Sequence, residues 1–180
     1  MLLNSSFLPH PRSGHLLPAN RVNKKTLVKK ILARLTAELA LYGKAARAAH
    51  AEATHEQSKA ENKYDTRGLE ASYLARGQSR QAGEVEQAIE QFQALVLRTF
   101  APADPIDLGA LVELETRGER IFYFIGPRAG GTELEHEKHE VTVITPPSPL
   151  GKQLVGRRQG DKLKLNIGGN HSEYRVIAVS

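Results

Sequence analysis

The chain has 180 residues, enough for one domain or two small ones, and a quarter of them are charged (25%). It contains no cysteine, which excludes disulfide bonds and thiolate metal sites and suits a reducing compartment. Acidic and basic residues are interspersed along the chain, and the net charge is +5. This pattern favours an ordinary solvated surface over sequence-specific DNA binding.

Residues 1–22 are rich in Pro, Ser, Gly and His and show no sustained periodicity, so we predict a disordered leader. This segment lacks the apolar core of a secretory signal. No apolar stretch in the chain reaches the ~18 residues that a membrane-spanning helix needs. We therefore expect a soluble, cytoplasmic protein.

Residues 23–100 carry two heptad series of mainly apolar residues, and no proline interrupts them. The first series is Val28, Leu32, Leu35, Leu39, Tyr42, Ala46, Ala49 and Ala53. The second series is Tyr64, Gly68, Ala71, Ala75, Gln78, Ala82, Val85, Ile89, Phe92 and Val96. Placed antiparallel, the two seams match pair by pair, with Val28 opposite Val96 and Leu35 opposite Ile89. This match predicts a coiled-coil hairpin over 23–100 that projects roughly 45 Å, at about 1.5 Å per residue, with Asn23 as the first N-cap.

The turn of this hairpin falls near Glu61. Glu61 and Asp65 would share one face of the first turn of the returning helix, which Ser58 or Asn62 would cap. Acidic side chains at that position interact favourably with the positive end of the helix dipole. This structural role is the alternative to a functional one. The functional interpretation is that carboxylates on a thin tip hold Mg²⁺ jointly with ligands from a partner, because Mg²⁺ prefers a few carboxylates and water.

Four basic residues fall at the same level of the predicted hairpin, namely Lys44, Arg47, Arg76 and Arg80. Basic residues on exposed helices are usually solvated and are weakly stabilised by nearby acids. The alternative is a basic stripe that faces a phosphate backbone, such as that of RNA. The sequence leaves both interpretations open.

After Phe100 the helical period stops at a linker, residues 101–105, that contains two prolines. Short apolar or alternating runs then predict β-strands at 110–115, 121–125, 141–144, 162–167 and 174–179. A short helix is predicted at 150–155. Residues 106–180 are therefore expected to form a small, mostly antiparallel β domain, so that the whole chain is of the α+β class.

Two histidines, His136 and His139, raise the question of a metal site, but we place them in a charged loop without a third ligand at metal spacing. The sequence has no nucleophile elbow, Walker sequence or dinucleotide-binding glycine pattern. We therefore do not expect catalysis by this chain alone.

Residues 145–161, with the sequence TPPSPLGKQLVGRRQGD, and the final Glu-Tyr-Arg-Val-Ile resemble the C-terminal domain of the bacterial GreA/GreB transcript-cleavage factors. This resemblance implies an FKBP-like C-terminal domain seated on the rim of the secondary channel of RNA polymerase. The contact would lie around Ser148, Pro149 and Leu150. It also implies that the coiled coil enters the channel, so that its tip lies near the 3′ end of the nascent RNA.

The tip departs from the pattern of this family, which is usually Asp-x-x-Glu-Asn. Glu61 and Asn62 match, whereas Ser58 replaces the first acid. The resemblance implies a Mg²⁺ ion held jointly with the polymerase and none held by this chain alone, and Glu61 is the expected ligand, with Asp65 a weaker second. Losing one carboxylate should weaken metal recruitment. Both a factor that stimulates RNA cleavage and a modulator or inhibitor of the same fold therefore remain open.

We expect a regulatory factor that acts as a monomer, and two other classes of function are the alternatives. A peptidyl-prolyl isomerase needs an aromatic-lined apolar pocket, but the chain has no tryptophan, and core packing explains Phe122 and Phe124. A coiled-coil oligomerisation module would instead associate in a concentration-dependent manner.

Overall fold

The computed structural model describes residues 23–54, 67–167 and 170–180. Its helices are α1 (Lys24–Thr54), α2 (Arg67–Gln93) and α3 (Gly151–Leu154). Its strands are β1 (Leu111–Thr116), β2 (Glu119–Ile125), β3 (Glu133–His136), β4 (His139–Ile144), β5 (Lys162–Ile167) and β6 (Asn170–Val179). Two long helices thus precede a β domain, and the predicted α+β class is confirmed. None of the helices within the described ranges is long and apolar enough to cross a membrane.

Helix α1 begins as predicted at Asn23. The side-chain Oδ1 of Asn23 accepts a hydrogen bond from the amide of Thr26 at 3.2 Å, and its backbone carbonyl accepts one from Leu27 at 3.0 Å. The first bond satisfies an amide that has no partner inside the helix, and the second is the first hydrogen bond of the helix itself. The N-cap therefore fixes where the hairpin starts.

Helices α1 and α2 pack against each other along the predicted seams. Val28 and Leu35 near the start of α1 share a buried cluster with Val85 and Phe92 near the end of α2. This arrangement is the one expected of two antiparallel helices. Leu27 and Ile31 lie outside the predicted seam, yet both are fully buried (0% exposed) because this end of the hairpin also rests on the sheet.

The second helix ends earlier than the heptad pattern predicts. Helix α2 stops at Gln93 rather than continuing to residue 100, and Val96 is 82% exposed, so the predicted pairing of Val28 with Val96 is wrong. The amide of Leu95 donates to the carbonyl of Phe92 at 3.3 Å, a tighter turn than an α-helical one. The chain then bends so that Leu95 and Leu97 pack against the cluster at the base of the hairpin. Packing against the sheet therefore overrides the helical period.

The sheet has the strand order β3-β4-β2-β1-β6-β5 in the described part of the chain. Strands β2 and β4 run parallel, and the other neighbouring strands run antiparallel. Because side chains alternate between the two faces of a strand, the sheet contributes to two cores. Tyr123 and Ile125 face the core that includes Leu154 of α3, whereas Phe122 and Phe124 face the base of the helical hairpin.

The predicted loop around His136 and His139 is instead a β-hairpin. His136 ends β3, His139 begins β4, and the two are paired across the strands. Glu137 and Lys138 form the turn with φ angles of 49° and 68°, the positive values that a two-residue hairpin turn requires. The placement in a loop is therefore wrong. The alternation of Glu133, Leu134, Glu135 and His136 was the sequence signal for this strand.

Candidate functional site

The four predicted tip residues, Ser58, Glu61, Asn62 and Asp65, lie outside the described residues. The structure does define the helix ends on either side of them, at Thr54 and Arg67. Near these ends the buried seam positions are the small residues Ala49 and Ala71. Small seam residues let two helices approach closely, whereas the base of the hairpin buries the much larger Phe92.

The four predicted basic residues are all exposed on the hairpin. Lys44 follows the buried Leu35 by nine residues, which at about 100° per residue places it on the opposite side of α1 from the seam. The same spacing separates Arg80 from Ala71, and Arg76 from Val85, on α2. The outward faces of two packed helices point in opposite directions, so Lys44 is not brought together with Arg76 and Arg80.

Two of these basic residues have contacts along their own helices. Arg80 pairs with Glu84 one turn away, with Nε 3.2 Å from Oε1. Arg47 folds back along α1, so that its Nη1 would lie 3.4 Å from a Cβ atom at Gly43. Exposed pairs of this kind contribute little to stability. The role of all four residues in facing RNA or phosphate stays a prediction.

The predicted contact loop, residues 145–150, is held rigidly by hydrogen bonds around Ser148. The hydroxyl of Ser148 donates to the carbonyl of Thr145 at 2.7 Å and accepts from the amide of Gly151 at 3.0 Å. The amide of Ser148 also donates to the same Thr145 carbonyl at 3.0 Å. Ser148 therefore links Thr145, which follows β4, to Gly151, which begins α3. These hydrogen bonds within the loop hold it in one conformation.

The other two predicted contact residues differ in exposure. Pro149 is exposed, whereas Leu150 is half-buried and packs against the core that includes Leu154. A substitution at Leu150 would therefore disturb the fold as well as any contact. Pro149 is free to touch a partner, and its fixed φ angle limits the conformations of the loop before binding.

A second feature lies at the same end of the sheet and was not found from the sequence. An apolar groove of about 460 Å³ lies between the end of α2 and two loops of the β domain. We call it the Val96 groove; its lining residues are Gln91, Ala94, Leu95, Val96, Arg98, Leu108 and Pro127. The heptad pattern places Val96 in the seam between the helices. The sequence therefore predicts a buried side chain there and gives no sign of this groove.

Polar contacts fix the first turns of α1 to the β domain. The Lys24 amino group donates to the carbonyl oxygens of Arg98 and Gly109 and lies 4.8 Å from the centre of the Phe100 ring. Burial and the neighbouring Arg98 guanidinium lower the pKa of Lys24 to about 8. The Lys30 amino group donates to the carbonyl of Glu135 at 2.9 Å. The hairpin is therefore anchored at its base, on both sides of α1.

His136 lies beneath this anchored turn and is 1% exposed. Its ring nitrogens make no hydrogen bond within the described residues, although Nε2 lies 3.7 Å from the carboxylate of Glu137. Burial lowers the pKa of His136; Lys30 lowers it further, whereas Glu137 and the backbone of Asn23 raise it. Among residues 23–54, 67–167 and 170–180, no group of three potential ligands is placed to hold a metal ion.

Comparison with known proteins gives consistent matches. A family model described as "Transcription elongation factor, GreA/GreB, C-term" matches residues 101–180. The chain is 31% identical over 122 residues to the transcription inhibitor protein Gfh1 of Thermus aquaticus, which covers 64% of this chain and 71% of that protein. It is 29% identical over 98 residues to transcription elongation factor GreA of Maridesulfovibrio salexigens, covering 53% of this chain and 56% of that protein.

Solved structures also match. The crystal structure of GreA factor homolog 1 (Gfh1) of Thermus thermophilus is 25% identical in sequence, with a TM-score of 0.37, and covers 89% of this chain and 96% of that one. The structure of Thermus aquaticus Gfh1 is 27% identical, also with a TM-score of 0.37, and covers 82% of this chain and 92% of that one.

Proposed function

Because the chain belongs to the GreA/GreB family of transcription factors, we propose that it binds RNA polymerase and regulates elongation through its helical hairpin. The observation that carries this proposal is the reach of the hairpin beyond the sheet. Helix α1 has 31 residues, which corresponds to about 46 Å at 1.5 Å per residue. In the described part of the chain, the buried α1 residues that share a cluster with the sheet lie near its start, from Leu27 to Leu35. Most of its length is thus available to enter a channel.

The β domain would supply the affinity for the polymerase. The loop at Ser148 and Pro149 is fixed by internal hydrogen bonds, so little conformational freedom is lost when a partner binds it. The hydrogen bonds of Lys24 and Lys30 to the β domain would then hold the hairpin at its base and fix its orientation. In this proposal, binding and regulation are carried by different parts of the molecule.

At the tip, the proposal assigns the main role to Glu61, with Asp65 as a weaker second carboxylate. A carboxylate oxygen is a ligand that Mg²⁺ accepts readily, and Glu61 would present one to an ion that the polymerase also holds. The RNA would be cleaved by the polymerase, and this chain would be a regulatory factor. Arg76 and Arg80, on the outward face of α2, would lie beside the RNA.

A second candidate function is inhibition of elongation without RNA cleavage. It is favoured by Ser58, which stands where the family usually has an acid, and by the identity of 31% to a protein named as a transcription inhibitor. A single carboxylate would hold the shared ion less well than a pair. The hairpin would then occupy the channel without supporting cleavage.

Backtracked elongation complexes incubated with the protein and Mg²⁺ distinguish these functions. Shortened RNA would support stimulation of cleavage. Binding with RNA of unchanged length and slower extension would support inhibition. If the protein does not bind the elongation complex at micromolar concentration, both versions of the proposal are wrong.

A further inference from the structure

Lys24 places a partly exposed amino group at the junction between α1 and the β domain. Its Nζ donates to the backbone carbonyl of Arg98 and, at 3.2 Å, to that of Gly109. An ammonium group has three N–H donors, so these carbonyls bind two of them. Loss of the third proton would leave both hydrogen bonds in place. It would also create a lone pair on a nitrogen atom whose position is already fixed.

The surroundings of this amino group favour its neutral form. Nζ lies 4.8 Å from the centre of the Phe100 ring, and the Arg98 guanidinium lies 3.9 Å from the centre of the same ring. Two cations are thus held beside one apolar surface. Burial is the main cause and the charge of Arg98 the second cause that lower the pKa of Lys24 to about 8. Desolvation and a neighbouring cation are the two means by which proteins activate a lysine as a nucleophile.

The Arg98 guanidinium adds an anion-binding group at the same place. Its Nη1 lies 3.7 Å from Oδ2 of Asp104, which is longer than a hydrogen bond, and that oxygen already accepts from the amide of Ala101 at 2.9 Å. The Arg98 side chain is 45% exposed and lines the Val96 groove, so solutes can reach it. A guanidinium has the geometry to bind two oxygens of a phosphate group. A nucleophile and a phosphate-binding group therefore lie side by side.

We propose that Lys24 is a site of covalent acylation by an acyl phosphate, and that Arg98 binds the phosphate group of this reagent. The neutral Nζ attacks the carbonyl carbon and forms an amide bond. The bond between that carbon and the phosphate oxygen breaks, and inorganic phosphate leaves with the electron pair. Nζ then releases one proton to water. The product is an uncharged N-acyl lysine at the base of the hairpin.

Acylation would weaken the contact between the hairpin and the β domain. The amide nitrogen of the product keeps one N–H, so it can donate to the carbonyl of Arg98 or to that of Gly109, but not to both. The positive charge beside the Phe100 ring is lost as well. The effect on transcription rests on the proposed function, because a hairpin held less firmly would enter the polymerase channel less well. The acylation itself does not depend on that function.

The first test measures how fast each lysine of the full-length chain reacts with acetyl phosphate, by mass spectrometry of its peptides. Lys25 is the internal control, because it is the next residue of the same helix and is exposed. We expect Lys24 to react about fivefold faster than Lys25, or more, because the folded site favours the neutral amine. The Lys24 rate should level off above about pH 8. In concentrated guanidinium chloride the two rates should become equal.

Two outcomes of this experiment would overturn the proposal. If Lys24 reacts no faster than Lys25 in the folded protein, the site does not activate its amine. If the preference for Lys24 persists in the unfolded chain, the neighbouring sequence causes it and the geometry does not. Because no polymerase is present, neither outcome bears on the proposed function.

A second test examines whether Arg98 binds the phosphate group. The variant Arg98→Gln is treated with acetyl phosphate and, separately, with the uncharged reagent N-hydroxysuccinimidyl acetate. Any change in the basicity of Lys24 affects both reactions. Loss of phosphate binding slows only the first, which we expect to fall about fivefold further than the second. Arg158→Gln, at an exposed arginine elsewhere in the β domain, should change neither rate. Equal slowing of both reactions by Arg98→Gln would contradict an acyl phosphate as the preferred reagent.

The effect on the hairpin is tested with two variants of Lys24. Lys24→Gln carries an uncharged amide like that of the product, whereas Lys24→Arg keeps the charge and the N–H donors. We expect hydrogen exchange in the first turns of α1 and in residues 95–100 to be faster in Lys24→Gln than in the parent, and Lys24→Arg to resemble the parent. Equal exchange in all three proteins would show that acylation does not loosen the hairpin.

Discussion

The backbone carbonyl of Thr145 fills the space that a side chain at Gly151 would need. A Cβ atom at Gly151 would overlap the Thr145 oxygen and lie 3.0 Å from the carbonyl oxygen of Pro146. Only glycine allows this approach, which lets the hydroxyl of Ser148 bridge Thr145 and Gly151. The shape of the proposed contact loop therefore requires that Gly151, the residue that follows the loop, has no side chain.

Gly151→Ala should displace this loop. The added methyl group cannot fit without a shift of the backbone, so we expect a loss of about 1–3 kcal/mol in the free energy of unfolding. Polymerase affinity should fall with it, because Pro149 would no longer be held in position. Urea unfolding and a binding titration check both effects. Unchanged stability together with unchanged affinity would show that the loop tolerates a side chain and is not rigid.

The glycines of helix α2 should behave in the opposite way. A Cβ atom at Gly77 or Gly83 would meet no other atom within 4 Å. Because glycine costs roughly 0.5–1 kcal/mol relative to alanine inside a helix, Gly77→Ala and Gly83→Ala should each stabilise the protein by up to that amount. The same urea titration measures the gain, and these variants serve as controls for Gly151→Ala. A loss of stability at either position would mean that the helix needs its glycine there.

Phe92 and Val96 should respond very differently to truncation, although they are four residues apart. The Phe92 ring is 1% exposed and stacks on Phe124 with ring centres 6.5 Å apart, so Phe92→Ala should cost about 3–5 kcal/mol. Val96→Ala removes an exposed side chain and should change stability by less than about 0.5 kcal/mol. Chemical unfolding of the two variants tests this. Similar losses would mean that α2 continues to Val96.

Stability should fall at acid pH because of His136. Its pKa is lowered in the folded protein, mainly by burial, so the unfolded chain binds more protons as the pH falls below the usual value of 6.5. The contribution of neutral His136 to the free energy of unfolding is therefore complete above pH 6.5. It is lost as the pH falls through the lowered pKa of the folded protein. Urea midpoints at pH 7.5 and 5.5 should therefore differ more for the parent than for His136→Leu. Identical pH dependence of the two proteins would contradict a buried, neutral histidine.

The tip should affect activity without affecting stability. Glu61→Ala should leave the melting temperature and polymerase affinity nearly unchanged while altering RNA cleavage or extension, because substitutions away from a packed core usually stay within about 0.5 kcal/mol and the sequence predicts a tip far from the core. Ser58→Asp restores the two-acid spacing of the family and should create or raise Mg²⁺-dependent cleavage. RNA products on a denaturing gel provide the measurement. If neither substitution changes them, the tip does not present a metal ligand.

The sequence by itself determined the local structure. The heptad positions around Leu35 and Val85, the cap at Asn23 and the alternation in β1 and β2 are readable because period and capping depend on residues close together in the chain. The residues around Ser148 likewise carried the family resemblance, since a motif is a local pattern.

The tertiary structure decided where these elements stop and what they expose. Helix α2 ends at Gln93, and the residues that follow it turn so that Leu95 and Leu97 pack against the cluster that includes the sheet, which leaves Val96 in solvent. His136 is buried because the first turns of α1 lie over the end of β3. Both outcomes depend on contacts between segments far apart in sequence, and the energies of such contacts override a local period.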